Sequence, residues 1–129
     1  MLLYPVLTLR SIKGAVFSKE AYNFRNACSD KYLNHPDGIL AVDEVSDVEI
    51  PGPYGPILLR LYFPSSERNV PVILFIHGGG WWTGNIEAYD QICRRLALES
   101  GCAVASLEYR LWPEYRFPVP VEETMVAAN

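Results

Sequence analysis

The chain has 129 residues, a net charge of -4 and a pI near 5.1, with 50% hydrophobic and 20% charged residues. That length and balance suit one globular domain with a real core and exclude a disordered chain. The 11 Lys and Arg are scattered, so no basic face for nucleic acid is predicted. No apolar run reaches the length of a bilayer span. Cys28, Cys93 and Cys102 stand at unrelated spacings in apolar surroundings, which predicts reduced thiols, a cytoplasmic setting and no metal or organic cofactor.

Residues 1–17 show no clear period. Phe17, Ala21, Phe24 and Cys28 then recur at steps of four, three and four, which predicts an amphipathic helix over 18–33, capped by Ser18 and stopped by Asn34-His35-Pro36-Asp37-Gly38. Glu44–Ile50 alternates as a half-buried strand, Pro51–Pro56 forces a turn, and Ile57–Phe63 reads as the antiparallel partner. Val72–Ile76 is a short run of branched and aromatic residues, expected to be a strand buried on both faces. His77-Gly78-Gly79-Gly80-Trp81-Trp82 follows it at once. Glycines in that position let the backbone turn sharply and turn N–H groups toward a ligand with no Cβ in the way, which is how a backbone anion site is made.

A helix is expected from about Ile86 to Glu99, capped by Asn85 or Thr83, with Ile86, Tyr89, Cys93 and Leu96 on one face. Ser100-Gly101 ends it, and Cys102–Leu107 is a further buried strand. Strand, glycine loop, helix and strand make a βαβ unit whose crossover should be right-handed with parallel strands. After the proline-rich stretch Leu111–Pro120, a last helix begins near Val121.

The pair of segments His77-Gly78-Gly79-Gly80-Trp81 and, some thirty residues on, Glu108-Tyr109-Arg110-Leu111-Trp112-Pro113-Glu114 with Phe117-Pro118, resembles the hormone-sensitive-lipase-like branch of the α/β-hydrolase esterases. That family has His-Gly-Gly-Gly after its third strand and Tyr-Arg-Leu-Ala-Pro-Glu after its fourth. The resemblance runs from about Val45 to the C-terminus and implies an α/β fold: the N-terminal half of an α/β-hydrolase, with a mixed, mostly parallel sheet over residues 37–129 and a helical cap segment over 1–36. It also implies a carboxylic-ester hydrolase acting on a small ester, in which Gly79 and Gly80 donate N–H groups to the oxyanion and Gly78 serves the turn. Arg110 and Glu114, four residues apart, are expected to form a structural ion pair holding their loop. His77 is expected to order the glycine loop, and Trp81 and Trp82 are candidates for the substrate pocket and for core packing.

The family's nucleophile lies in Gly-x-Ser-x-Gly, and these 129 residues contain none. The histidines are His35 and His77 alone, so the chain is expected to carry an oxyanion loop without a Ser-His-Asp triad and to be inactive by itself. A substitute dyad of Ser106 and His77 is conceivable, but Ser106 lies within a strand with no sharp turn beside it. A non-catalytic small-molecule-binding or interaction protein on the same fold is the alternative, and a product without function in this form is a third. The uncharged third strand is expected to stand at a sheet edge, open to pairing with a second copy or a second chain.

Overall fold

The computed structural model describes residues 19–30 and 38–129. The expectations for residues 1–18 and 31–37, including the Ser18 cap, lie outside the described residues. Helix α1 spans Lys19–Asp30, and a four-stranded sheet follows, built from β1 (Glu44–Ile50), β2 (Ile57–Phe63), β3 (Val72–Ile76) and β4 (Ala103–Glu108). Helix α2 (Asp90–Ser100) connects β3 to β4, and α3 (Val119–Ala127) closes the described chain.

The strands lie in the order β1-β2-β4-β3. β1 and β2 form the expected antiparallel pair, with Glu44 opposite Phe63 and Ile50 opposite Ile57. β2 runs antiparallel to β4, Leu58 facing Glu108. β3 and β4 are parallel, Val72 beside Ala103 and Ile76 beside Leu107. The sheet is therefore mixed as expected, but mostly antiparallel and not mostly parallel over these strands. A parallel neighbour needs a helical crossover, and only the link through α2 supplies one.

The pleat of β4 divides the core between two faces. Ala105 and Leu107 join Ile57, Leu59 and Tyr109 on one, where Ala127 of α3 also packs. Val104 lies on the other with Tyr62, Cys93 and Ala97, against α2. Both clusters are contiguous, as expected when alternating side chains of a central strand meet a helix on each side.

Three sequence expectations need correction here. β3 is not buried on both faces: it is an edge strand, with Val72 64% and Ile76 41% exposed and the three residues between them half-buried. Helix α2 starts four residues later than the period suggested. Asn85 does cap, its Oδ1 accepting from the Ala88 N–H at 2.7 Å, but it closes a turn over 86–89 and the helix begins at Asp90. Helix α3 starts at Val119, before the predicted Val121, because the first backbone turn already closes from Val121 and Glu122 N–H onto Pro118 O. The end of α2 follows the sequence closely: Gly101 takes φ +70° and returns its N–H to Ala97 O at 2.9 Å.

Candidate active site

The loop after β3 is held by its own backbone. Gly79 O accepts from Trp82 N–H at 3.2 Å and from Thr83 N–H at 3.0 Å. Gly79 and Gly80 have φ of +124° and +62°, and Gly84, four residues on, has +96°. Glycine is obligatory at two of these places for reasons of space. A Cβ on Gly79 would sit 1.9 Å from Thr83 O, and one on Gly84 would lie 2.5 Å from His77 Nδ1 and 2.6 Å from Gly78 O. Nothing lies within 4 Å of a Cβ built on Gly80, so the space beside it is open. Gly78, Gly79 and Gly80 are exposed, and no hydrogen bond among the described residues uses the N–H of Gly79 or Gly80.

His77 is only 3% exposed and lies beneath this loop, its ring stacked on Tyr109 with centroids 4.2 Å apart and flanked by Tyr89 at 5.6 Å. Its Nδ1 is 2.8 Å from Gly78 O, and because a carbonyl can only accept, Nδ1 carries the proton. Nε2 is buried with no hydrogen-bond partner among the described residues. Burial lowers the pKa of the imidazole, outweighing the Gly78 carbonyl, which raises it. The neutral ring thus pins the Gly78 peptide, and Tyr109 pins the preceding one by donating its hydroxyl to His77 O at 2.7 Å. Burial also pushes the Tyr109 hydroxyl up to about 12, which keeps it a donor at neutral pH.

The segment after β4 forms the loop's second wall. Trp112 N–H donates to Trp81 O at 2.8 Å, and the Trp81 ring meets Tyr109 edge to face at 5.4 Å. Trp112-Pro113 and Phe117-Pro118 are cis. The expected Arg110–Glu114 pair is not formed. Arg110 instead bonds Glu123 of α3, through both its guanidinium and its backbone N–H, the latter at 2.8 Å to Oε2. Glu114 pairs with Arg25 of α1 at 2.8 Å. Spacing by four implies contact only within a helix, and residues 110–114 are not helical. Glu123 is wholly buried.

Helix α1 is anchored to both walls. Arg25 holds Glu114, Phe24 stacks on Trp82 at 5.8 Å, and the buried Ser29 Oγ accepts from Gly84 N–H at 3.1 Å. Trp81 and Trp82 accordingly separate, Trp81 46% exposed beside the glycines and Trp82 half-buried under α1. The conceivable Ser106–His77 dyad is not assembled. Ser106 is fully buried within β4 opposite Phe75, where its side chain meets the Cys93 thiol, while His77 Nδ1 is engaged by Gly78. Among the described residues no group of three or more His, Cys, Asp or Glu could hold a metal ion, and no helix is long and apolar enough to cross a membrane.

Sequence reasoning missed Gly84, Tyr109, Ser29 and Glu123. Gly84 alone left a local trace, a glycine inside the polar turn Thr83-Gly84-Asn85. The others act across long separations that no spacing rule reaches.

Residues 73–129 match the α/β hydrolase fold family. The chain is 40% identical over 84 residues to the carboxylic ester hydrolase LipN of Mycobacterium tuberculosis, an alignment covering 65% of this chain and 22% of LipN. It is 38% identical over 80 residues to an acetyl esterase of Salmonella schwarzengrund, covering 62% of this chain and 24% of that enzyme. Among solved structures it is similar to EstE1, a thermostable carboxylesterase from a metagenomic library, with a TM-score of 0.77 and 38% identity over 82% of this chain and 36% of that one. An esterase of Pyrobaculum calidifontis superposes with a TM-score of 0.75, again at 38% identity, over 83% of this chain and 35% of that one. The chain thus spans about a quarter of the length of those two sequence relatives and about a third of those structures. Through β3, the glycine loop, α2, β4 and α3 the chain has the α/β-hydrolase fold, and the proteins it is similar to over that stretch are ester hydrolases.

Proposed function

We propose that this chain supplies the oxyanion-binding part of a carboxylic-ester hydrolase. The observation that carries this reading is the backbone at Gly79 and Gly80: exposed, in the left-handed half of φ space, and with N–H groups bound to no acceptor among the described residues. Charge that develops on an ester carbonyl oxygen during attack needs donors already in place, and the removal of one such donor typically costs about 10²–10³ in rate. Here the donors are pre-placed. Gly79 O is fixed by two backbone N–H groups, and the His77 and Gly78 peptides are fixed by Tyr109 and by the His77 imidazole.

The nucleophile, base and acid are not among these residues in this reading. No Gly-x-Ser-x-Gly occurs, Ser106 is sealed in the sheet, and His77 is spent on the loop. The free side of β3 is the surface through which a second copy or a second chain attaches. Among the described residues its backbone is unpaired on that side, its five residues carry no charge, and Val72 and Ile76 are exposed.

Two measurements test this. The purified chain should not hydrolyse a short-chain nitrophenyl ester above background, while methylphosphonate, a small tetrahedral anion, should shift the Gly79 and Gly80 amide signals in a nitrogen-15 NMR titration. Turnover by the chain alone would overturn the claim that the triad is elsewhere. Shifts absent from the loop would overturn the oxyanion reading and leave a binding or interaction protein on the same fold. For the edge, light scattering should show dimers or larger species that Val72→Lys reduces to monomers; a wild-type chain monomeric at every concentration sinks that part.

A further inference from the structure

A recess of about 200 Å³ opens beside the glycine loop, walled by Gly80, Trp81, Trp112, Tyr115, Phe117 and Val121. We propose that it is a specificity subsite that takes a single aryl ring or a short branched alkyl group of a ligand whose anionic or carbonyl oxygen rests on the Gly79 and Gly80 N–H groups. The proposal rests on the oxyanion reading above and adds the class of substrate that the site selects.

Four observations converge. The recess is smaller than the roughly 300–1,000 Å³ of a site for drug-sized molecules, so it holds one ring or its equivalent. Its walls are almost wholly apolar, yet Gly80 contributes backbone at the rim, and the space where a Gly80 side chain would project is empty. A ligand can therefore reach both the N–H groups and the recess at once.

Trp81 is the one described non-glycine residue with positive φ, at +64°. A bulky residue there is unfavourable by roughly 1–2 kcal/mol, and such strain persists where surrounding contacts over-determine it. Those contacts are the Trp112 N–H bond to Trp81 O and the edge-to-face packing on Tyr109, and together they hold the indole at the recess wall. Finally, Phe117, Trp81 and Tyr115 are 83%, 46% and 39% exposed. Large aromatic surface gathered round a concavity marks a binding surface more often than scattered exposure does. Trp112 stands where the family segment quoted above has alanine, so its indole wall is a feature of this chain.

The test compares three probes on the 129-residue chain by NMR and tryptophan fluorescence: methylphosphonate, benzylphosphonate and benzyl alcohol. Benzylphosphonate should bind roughly tenfold or more tightly than methylphosphonate, from burial of the ring. Trp112→Ala should bring that ratio close to one. Val121→Trp, a substitution on the exposed side of α3 that fills the recess, should do the same without removing any wall. Neither variant should change methylphosphonate affinity by more than about twofold.

Equal binding of the two phosphonates, or a benzyl preference untouched by both variants, overturns the subsite. If methylphosphonate shifts the loop amides and the benzyl group adds nothing, the subsite fails and the oxyanion reading stands. If benzyl alcohol and benzylphosphonate bind with Trp112 and Val121 dependence but neither phosphonate moves the Gly79 and Gly80 amides, the recess stands and the oxyanion reading fails.

Discussion

The two loops that frame the site solve the same problem with opposite chemistry. After β3, the segment 77–84 is shaped by four glycines, three of them at positive φ, and leaves the Gly79 and Gly80 N–H groups without an acceptor among the described residues. After β4, the segment 109–118 is shaped by its prolines, Pro113 and Pro118, and by the Arg110–Glu123 pair, which ties it to α3. The first is permissive backbone that must be held in one state by its neighbours. The second is stiff backbone that does the holding, through Tyr109 and Trp112. The proposed oxyanion role would need this division, because a glycine loop by itself loses more conformational freedom on ordering than any other kind.

The comparison is broken most severely at the stiff loop. Glu123→Ala removes the acceptor of both the Arg110 guanidinium and the Arg110 backbone N–H, and hydrogen bonds to a charged group are typically worth about 1.5–3 kcal/mol each; denaturant unfolding should show a loss of about that size. A variant within about 1 kcal/mol of wild type would mean that α3 does not brace the loop.

Within the glycine loop, position matters more than composition. Gly79→Ala must displace the Thr83 carbonyl and should cost about 2 kcal/mol or more, whereas Gly80→Ala meets only the left-handed penalty of about 1 kcal/mol. Equal losses would contradict the tight Gly79–Thr83 turn. Ser29→Ala strips the acceptor from the buried Gly84 N–H and should cost about 1–2 kcal/mol, read by unfolding and by faster exchange of the Gly84 amide.

The smallest effect is one of pH. His77 has a pKa lowered from 6.5 by burial, so the folded state favours the neutral ring. Its contribution is therefore fully present above about pH 6.5 and is lost as pH falls through the lower folded value. His77→Gln, which keeps a donor for Gly78 O, should flatten the difference between stability at pH 7 and at pH 5. An unchanged slope would mean that His77 is not the titrating group.

Much of this was legible in the chain itself. The limits of β1, β2 and β3 match the alternating and apolar runs to the residue, because strand period and flanking Pro and Gly are local signals. The glycine loop was legible for the same reason: a histidine and three glycines after an apolar run have few other uses. What local signals could not decide was partnership. The spacing of Arg110 and Glu114 suggested a pair, yet the proline-bound turn between them sends each elsewhere, one to α3 and one to α1.

The sequence by itself determined the strand, the glycine turn that follows it and the lack of a Gly-x-Ser-x-Gly segment within these 129 residues, since each depends on residues adjacent in the chain. Only the tertiary structure decided that Gly84 must be small, that Tyr109 and His77 stack to pin the loop, that Ser29 caps it from α1, and that Trp81 rather than Trp82 faces the recess. Those outcomes depend on close packing between segments far apart in sequence, where distances of an ångström determine which contacts exist.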